Sequence, residues 1–388
     1  MKILGISNFY PPHHEGGYEI SVAQTLEHQK ARGHQVRVLC GNRESTSDAF
    51  DADGISRSLR YLDYEKGNAL AKHRVERFNY ALTQKTIRDF GPDLVYLGSQ
   101  KALSLAPSLA VQDLKVPHIF DIGDIWLRSF QGSGLKSRIF RKAKALLPFT
   151  VGGVVVPEPA IVPSIWLKDR LFFDYGVSDV HVVPRGVSLP SLSEKTLSLP
   201  PAWLLAGRIE PRKGLHLVIE ALRELRISEP GFPFKLDIYG PEDPVYAEKC
   251  RRMIREYGLK DSFCFLGRKG SMQEIWADYD LLLMPTLAEE AFGRVIIEAM
   301  ACGLPVLATG AWGPAEIITP DQDGWLFDPH KEGDLAAKIR QIHSLPASRL
   351  REFSSAARHT VESRYEISLV QNQIDFILDN LMKKHNKG

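Results

Sequence analysis

Apolar residues along this chain fall into short runs, and between the runs lie longer stretches in which apolar positions recur every three or four residues. In the first half the runs occupy residues 3–9, 36–40, 94–97, 118–122, 154–156 and 181–183, with amphipathic stretches at 20–31, 71–89 and 165–173. In the second half the runs occupy 203–206, 234–239, 263–266, 281–284 and 305–309, again with helical patterns between them. Runs that are apolar on both faces and too short for helices predict fully buried strands. Strands of that kind separated by helices predict parallel sheets covered on both sides, the α/β class. Residues 188–201, rich in Ser, Pro and Leu and without a period, interrupt the rhythm and read as a linker between two doubly wound domains. The polar stretch 42–67 reads as a loop insertion, and 368–384 as a final helix.

Composition narrows the function classes. A chain of 388 residues is long enough for two cores, and 44% hydrophobic residues is an ordinary globular share. A net charge of +2 offers no global field for nucleic acid, so no nucleic-acid partner is expected. Cys40, Cys250, Cys264 and Cys302 lie far apart in sequence and read as reduced thiols rather than a metal or disulfide set. The first residues lack the core of a signal peptide, and no segment approaches the roughly 18 apolar residues of a membrane span. A cytoplasmic protein is expected, peripheral at most at the inner membrane face. The most basic stretch, 134–147, reads as an amphipathic helix. It either packs on its own sheet with a solvated basic face or makes peripheral contact with anionic lipid.

The residues with chemistry stand where parallel sheets bind ligands, in loops that follow strands. After the first run comes Pro11-Pro12-His13-His14-Glu15-Gly16-Gly17. Paired glycines ahead of a helix let backbone approach a ligand, and the helix N-terminus favours an anion there. A flexible turn is the plainer reading of the same pair. The spacing is not that of a dinucleotide fold, and Gly41-Asn42-Arg43 offers no acid for an NAD ribose, which disfavours nicotinamide chemistry. After residues 203–206, Arg208, Arg212 and Lys213 crowd one loop with only Glu210 to offset them, and Lys213 stands where a helix begins, against its dipole. A diphosphate resolves that conflict; solvated loop charge is the alternative. After 281–284 come Glu289-Glu290-Ala291-Phe292-Gly293-Arg294-Val295. Residues 292–295 are predicted to form a first helical turn with free N–H groups for phosphate. Glu298, deeper among apolar positions, has to be paired or ligand-bound. Glu290 alone reads equally as a first-turn acid.

Glu290 and Glu298, seven residues apart and enclosing Phe292-Gly293, resemble the E-x7-E signature of the family 4 retaining glycosyltransferases. Residues 298–306 resemble that family's continuation, and Gly207-Arg208 with Lys213-Gly214 its diphosphate loop. Residues 313–318 and 323–327 resemble its downstream blocks, and Gly16-Gly17 its N-terminal glycine loop. The likeness spans nearly the whole chain and is tightest in the second half. It implies a GT-B fold: two Rossmann-like doubly wound parallel-sheet domains facing a cleft. Residues 1–188, with a crossing final helix at about 368–388, would be the acceptor side, and 189–367 would bind the nucleotide-sugar. The resemblance implies retention at the anomeric carbon, no cofactor and no required metal. It gives Arg208 and Lys213 the donor diphosphate, Glu290 the sugar hydroxyls and Glu298 the ribose. Backbone N–H groups of Phe292, Gly293, Arg294 and Val295 would line the sugar and phosphate, with Arg268 near the base. The expected partners are a UDP-sugar, with a GDP-sugar second, and a saccharide or lipid-linked acceptor.

Two positions depart from the family pattern. Gly123 stands where relatives carry a histidine, although Asp124 matches the aspartate that follows and is assigned to the acceptor. Arg185-Gly186-Val187-Ser188 replaces a common Asn-Gly-Val-Asp, and Arg185 either adds a charge to the cleft or, the preferred reading, decorates a loop. A nucleotide-sugar epimerase and a non-catalytic nucleotide-sugar binder remain as rival readings.

Overall fold

The structure, a computed structural model, describes residues 1–13, 16–41, 50–62, 69–130, 154–191, 200–269, 272 and 275–385. The basic segment 134–147 and most of the 188–201 linker lie outside the described residues. The chain packs as two compact units, 1–184 with 371–388, and 185–370.

The first unit contains strands β1 (Lys2–Ser7), β2 (Gln35–Gly41), β3 (Ile55–Leu59), β4 (Leu94–Leu97), β5 (His118–Asp121), β6 (Ala160–Val162) and β7 (Val180–Val182). They form one sheet in the order β3-β2-β1-β4-β5-β6-β7, with all neighbours parallel. Its helices include α1 (Gly17–Ala31), α2 (Ala69–Phe90), α3 (Ala106–Asp113) and α4 (Ile165–Tyr175). Two expectations fail here. Residues 55–59, read as part of a loop insertion, are the edge strand β3. Its signal is masked because Ser56 and Ser58 are buried and hydrogen-bond each other, taking places where apolar residues were sought. Residues 154–156 are not a strand. Pro157 and Pro159 follow them, and proline cannot donate to a ladder, so pairing starts at Ala160.

The second unit contains β8 (Trp203–Ala206), β9 (Leu236–Tyr239), β10 (Phe263–Gly267), β11 (Leu281–Met284), β12 (Val306–Thr309) and β13 (Gly324–Phe327). They form a parallel sheet in the order β10-β9-β8-β11-β12-β13. Its helices are α5 (Leu215–Ser228), α6 (Pro244–Glu256), α7 (Arg294–Ala301), α8 (Pro314–Ile317), α9 (Asp334–His343) and α10 (Ala347–Arg364). The last helix, α11 (Ile367–His385), belongs to the first unit from residue 371 onward.

The period of two along each strand explains why both faces of this sheet are covered. Trp203 and Leu205 of β8, Leu281 and Leu283 of β11 and Leu307 of β12 join one core with α5, α6 and α9. Leu204, Leu282, Met284, Val306 and Ala308 join the opposite core with α7. Each such side chain contributes about 1.5–3 kcal/mol when fully buried. This two-sided demand is why the strands read as unbroken apolar runs rather than alternating ones.

Candidate active site

In both sheets the strand order reverses direction once, between β1 and β4 and between β8 and β11. The connections leave the sheet on opposite sides at such a point, so a crevice opens beyond the carboxyl ends of the strands. In the second unit the loops after β8 and β11 carry the residues singled out from sequence.

The loop after β8 is held by glycines. Gly207 has φ 152°, and a Cβ on Gly240 would lie 1.7 Å from the Gly207 carbonyl oxygen. Pro211–Lys213 make a single 3₁₀ turn, and Gly214, at φ 72°, caps both that turn and α5. A Cβ on Gly214 would lie 1.9 Å from the Pro285 carbonyl oxygen, so this loop presses against the loop after β11. The Leu287 N–H donates to the Arg212 carbonyl at 2.7 Å and stitches the two together.

That contact brings Lys213 and Glu290 side by side. The Lys213 ammonium donates to the Glu290 carboxylate at 2.7 Å, and both side chains are about one quarter exposed. The Glu290 carbonyl accepts from the Gly313 N–H, and a Cβ on Gly313 would lie 2.3 Å from the Ala291 carbonyl oxygen. Glu290 is therefore positioned by the loop after β12 as well. Arg208 and Arg212 stay exposed and share the Glu210 carboxylate, at 3.8 and 3.4 Å. Glu210 thus offsets both guanidinium groups, as its place in the loop predicts. Arg268 follows β10 and is exposed, on the same carboxyl edge of the sheet.

Helix α7 starts later than the sequence suggested. Gly293, at φ 95°, is its N-cap and Arg294 its first residue, so residues 292–295 are not all one turn. Phe292 is buried, 5.8 Å from the Tyr365 ring, and its side chain serves the core. Arg294 and Val295 open the helix, whose first N–H groups have no partner in the preceding turn by construction. The Arg294 guanidinium donates to Glu298 at 2.7 Å, one turn on, which supplies the pairing that Glu298 was expected to need.

The first unit presents a different edge. Gly16 is the N-cap of α1 and Gly17 its first residue, and the Glu19 carboxylate reaches back to the Gly16 N–H at 3.1 Å. Asp124 follows β5, is exposed, and accepts from the Trp126 N–H at 2.8 Å. Tyr18, between these features, was not singled out from the sequence. Arg185, read as loop decoration, is buried at 6% exposure, so it is not a solvated charge.

Solved structures share this architecture. A glycosyltransferase from Rickettsia africae superposes with a TM-score of 0.76 over 98% of each chain at 20% identity. HepE from Anabaena, solved in complex with UDP, superposes at 0.71 over 98% of this chain and 100% of its own, also at 20% identity. The fold is thus that of the GT-B glycosyltransferase structures. Residues 197–360 match the family described as Glycosyl transferases group 1, and residues 16–186 match the Glycosyl transferase 4-like domain. The chain belongs to the group 1 glycosyltransferases of the family 4 type. A putative colanic acid biosynthesis glycosyltransferase, WcaL of Salmonella typhimurium, is 22% identical over 90% of this chain and 93% of its own length. No helix among the described residues is long and apolar enough to cross a membrane.

Proposed function

We propose that this glycosyltransferase moves a sugar, with retention, from a nucleoside-diphosphate sugar to a saccharide or lipid-linked saccharide acceptor in polysaccharide or glycolipid synthesis. A UDP-sugar is the first choice of donor and a GDP-sugar the second. The observation that carries the reading is the Lys213–Glu290 pair at the strand-order reversal, on loops that glycine alone permits. The colanic acid relative and the UDP complex of HepE support it.

The chemistry follows from charge. Breaking the bond between the anomeric carbon and the diphosphate oxygen leaves negative charge on that oxygen. Lys213, held against Glu290, and the exposed Arg208 stabilise the charge as it develops, and the α7 N-terminus adds its dipole. Two side-chain cations do there what a divalent cation does elsewhere, so no metal is required in this reading. The sugar becomes oxocarbenium-like, and Glu290 accepts hydrogen bonds from its hydroxyls. Glu298 receives the ribose and Arg268 lies near the base. The acceptor hydroxyl attacks from the face the diphosphate leaves; its oxygen bonds to the anomeric carbon, and its proton passes to the departing diphosphate. The Gly16–Gly17 backbone at the start of α1 approaches the donor, and Asp124 serves the acceptor.

Calorimetric titration with UDP, GDP and ADP, each with and without magnesium, tests the donor half. Metal-independent binding of one nucleotide, lost in Arg208→Ala, is the expected result; binding of none would overturn it. With the matching donor, the anomeric configuration of the product by NMR tests retention.

A further inference from the structure

The first unit holds a residue pair that answers the missing imidazole at position 123. Gly123 does not adopt a left-handed backbone, so its conformation does not call for glycine. Space does. A Cβ at 123 would lie 2.0 Å from Cδ2 and 2.4 Å from Cε2 of Tyr18. The tyrosine ring lies against the Gly123 backbone and occupies the place a side chain there would need.

The ring is also fixed at its far end. The Tyr18 hydroxyl donates a short hydrogen bond to the carbonyl of Asp121, the last residue of β5. Asp121 is fully buried, and its carboxylate accepts from the Tyr96 hydroxyl on β4 at 2.6 Å. Tyr18 itself is only partly buried. Its chain neighbours are the Gly16–Gly17 loop on one side, while Gly123 leads directly into the exposed Asp124. A flat, immobilised and partly uncovered aromatic ring therefore lies on the backbone of Gly123, one residue before the exposed Asp124, at the carboxyl edge of the first sheet.

We infer that Tyr18 is the acceptor-side specificity residue of this enzyme, a stacking platform for one face of a pyranose ring whose hydroxyls Asp124 receives. The inference rests on the proposed function and names how its acceptor is held. A pyranose has an apolar C–H face, and an aromatic ring covers it without demanding a charge. Because the ring is held by Gly123 and by Asp121 before any sugar arrives, little freedom is lost on binding. The choice of tyrosine at 18 and glycine at 123 is then one choice: an imidazole at 123 and a ring at 18 exclude each other.

Saturation-transfer NMR with methyl α-glucoside, α-galactoside and α-mannoside on the full chain, paired with UDP calorimetry, tests this. The wild-type protein and Tyr18→Phe are expected to transfer saturation to the ring protons of at least one glycoside. Tyr18→Ala is expected to bind that glycoside about tenfold more weakly, with UDP affinity unchanged. Gly123→His is expected to lose the glycoside and melt earlier, and Tyr18→Ala/Gly123→His to regain the melting temperature because the space is free. Glycoside binding that survives Tyr18→Ala would overturn the inference, as would equal weakening of UDP in that variant or no glycoside signal from the wild-type protein. Failure of the wild-type protein to bind any nucleotide counts against the donor site instead.

Discussion

The two sheets share a topology but build their carboxyl edges from different interactions. The second unit gathers charge: Lys213 against Glu290, Arg294 against Glu298, and Arg208 and Arg212 against Glu210. The first unit gathers hydroxyl, amide and backbone groups and one buried carboxylate. Asn8 donates to Ser99 and accepts from the Ala102 N–H, and Tyr18 and Tyr96 both bind Asp121. A diphosphate is a concentrated charge and needs fixed cations, whereas a sugar is neutral and is recognised by shape and by hydroxyl geometry. The difference between the edges fits the proposed division, with the donor on the second unit and the acceptor on the first.

The strongest way to break this comparison is to remove a charge from the second unit. Lys213→Ala is expected to lower kcat/KM by about 10²–10³, the usual cost of losing one preorganised group that stabilises developing charge. Initial rates with the matched donor measure it, and a variant within a few-fold of wild type would remove Lys213 from the diphosphate. Gly214→Ala comes next. It forces a side chain into a left-handed position against the Pro285 carbonyl, with an expected loss of about 1–3 kcal/mol read as a lower melting temperature and weaker UDP binding. Glu290→Gln should lower turnover more than it weakens bare UDP, because its contacts belong to the transferred sugar. Asp124→Asn sharpens the contrast from the other side: the acceptor KM rises about tenfold, as for one charge-assisted hydrogen bond, while UDP affinity stays.

The smallest effect is one of pH. His343 is packed among Trp203, Phe232 and Phe234, and its ring accepts the Trp203 indole N–H at 3.1 Å. Burial lowers its pKa from 6.5 to about 4. The unfolded chain therefore takes up a proton before the folded one does, so this contribution to stability is complete above pH 6.5 and declines as pH falls towards about 4. Denaturant titrations at pH 7 and pH 4.5 should show a smaller drop in His343→Gln than in the wild type; equal drops would assign the acid sensitivity elsewhere.

The charged loops of the second unit were legible because their residues are defined by type. Three cations in one loop, an acid inside an apolar helix and glycines at strand ends each pose a physical conflict that a reader of the sequence can see. Strands β8 and β11 declared themselves because both faces are buried. What stayed hidden was relational. Strand β3 buries serines that satisfy each other, and the place of the Tyr18 ring is set by residue 123, more than a hundred positions away. The extended stretch before Pro159 was misread because its valines suggested a ladder that the prolines forbid. Residues 292–295 read as one first turn, whereas the left-handed Gly293 starts the helix at Arg294 and leaves the Phe292 ring to the core.

Gly214 carries a consequence for how such enzymes change over time. Its absent side chain is the clearance between two loops that are some seventy residues apart in sequence. Neither loop is free to be rewritten alone: a residue gained at 214 has to be matched by a retreat at Pro285, and the same retreat would pull Glu290 away from Lys213. The two loops are inherited as a single piece, and libraries aimed at the proposed sugar donor should vary both together while leaving that glycine untouched.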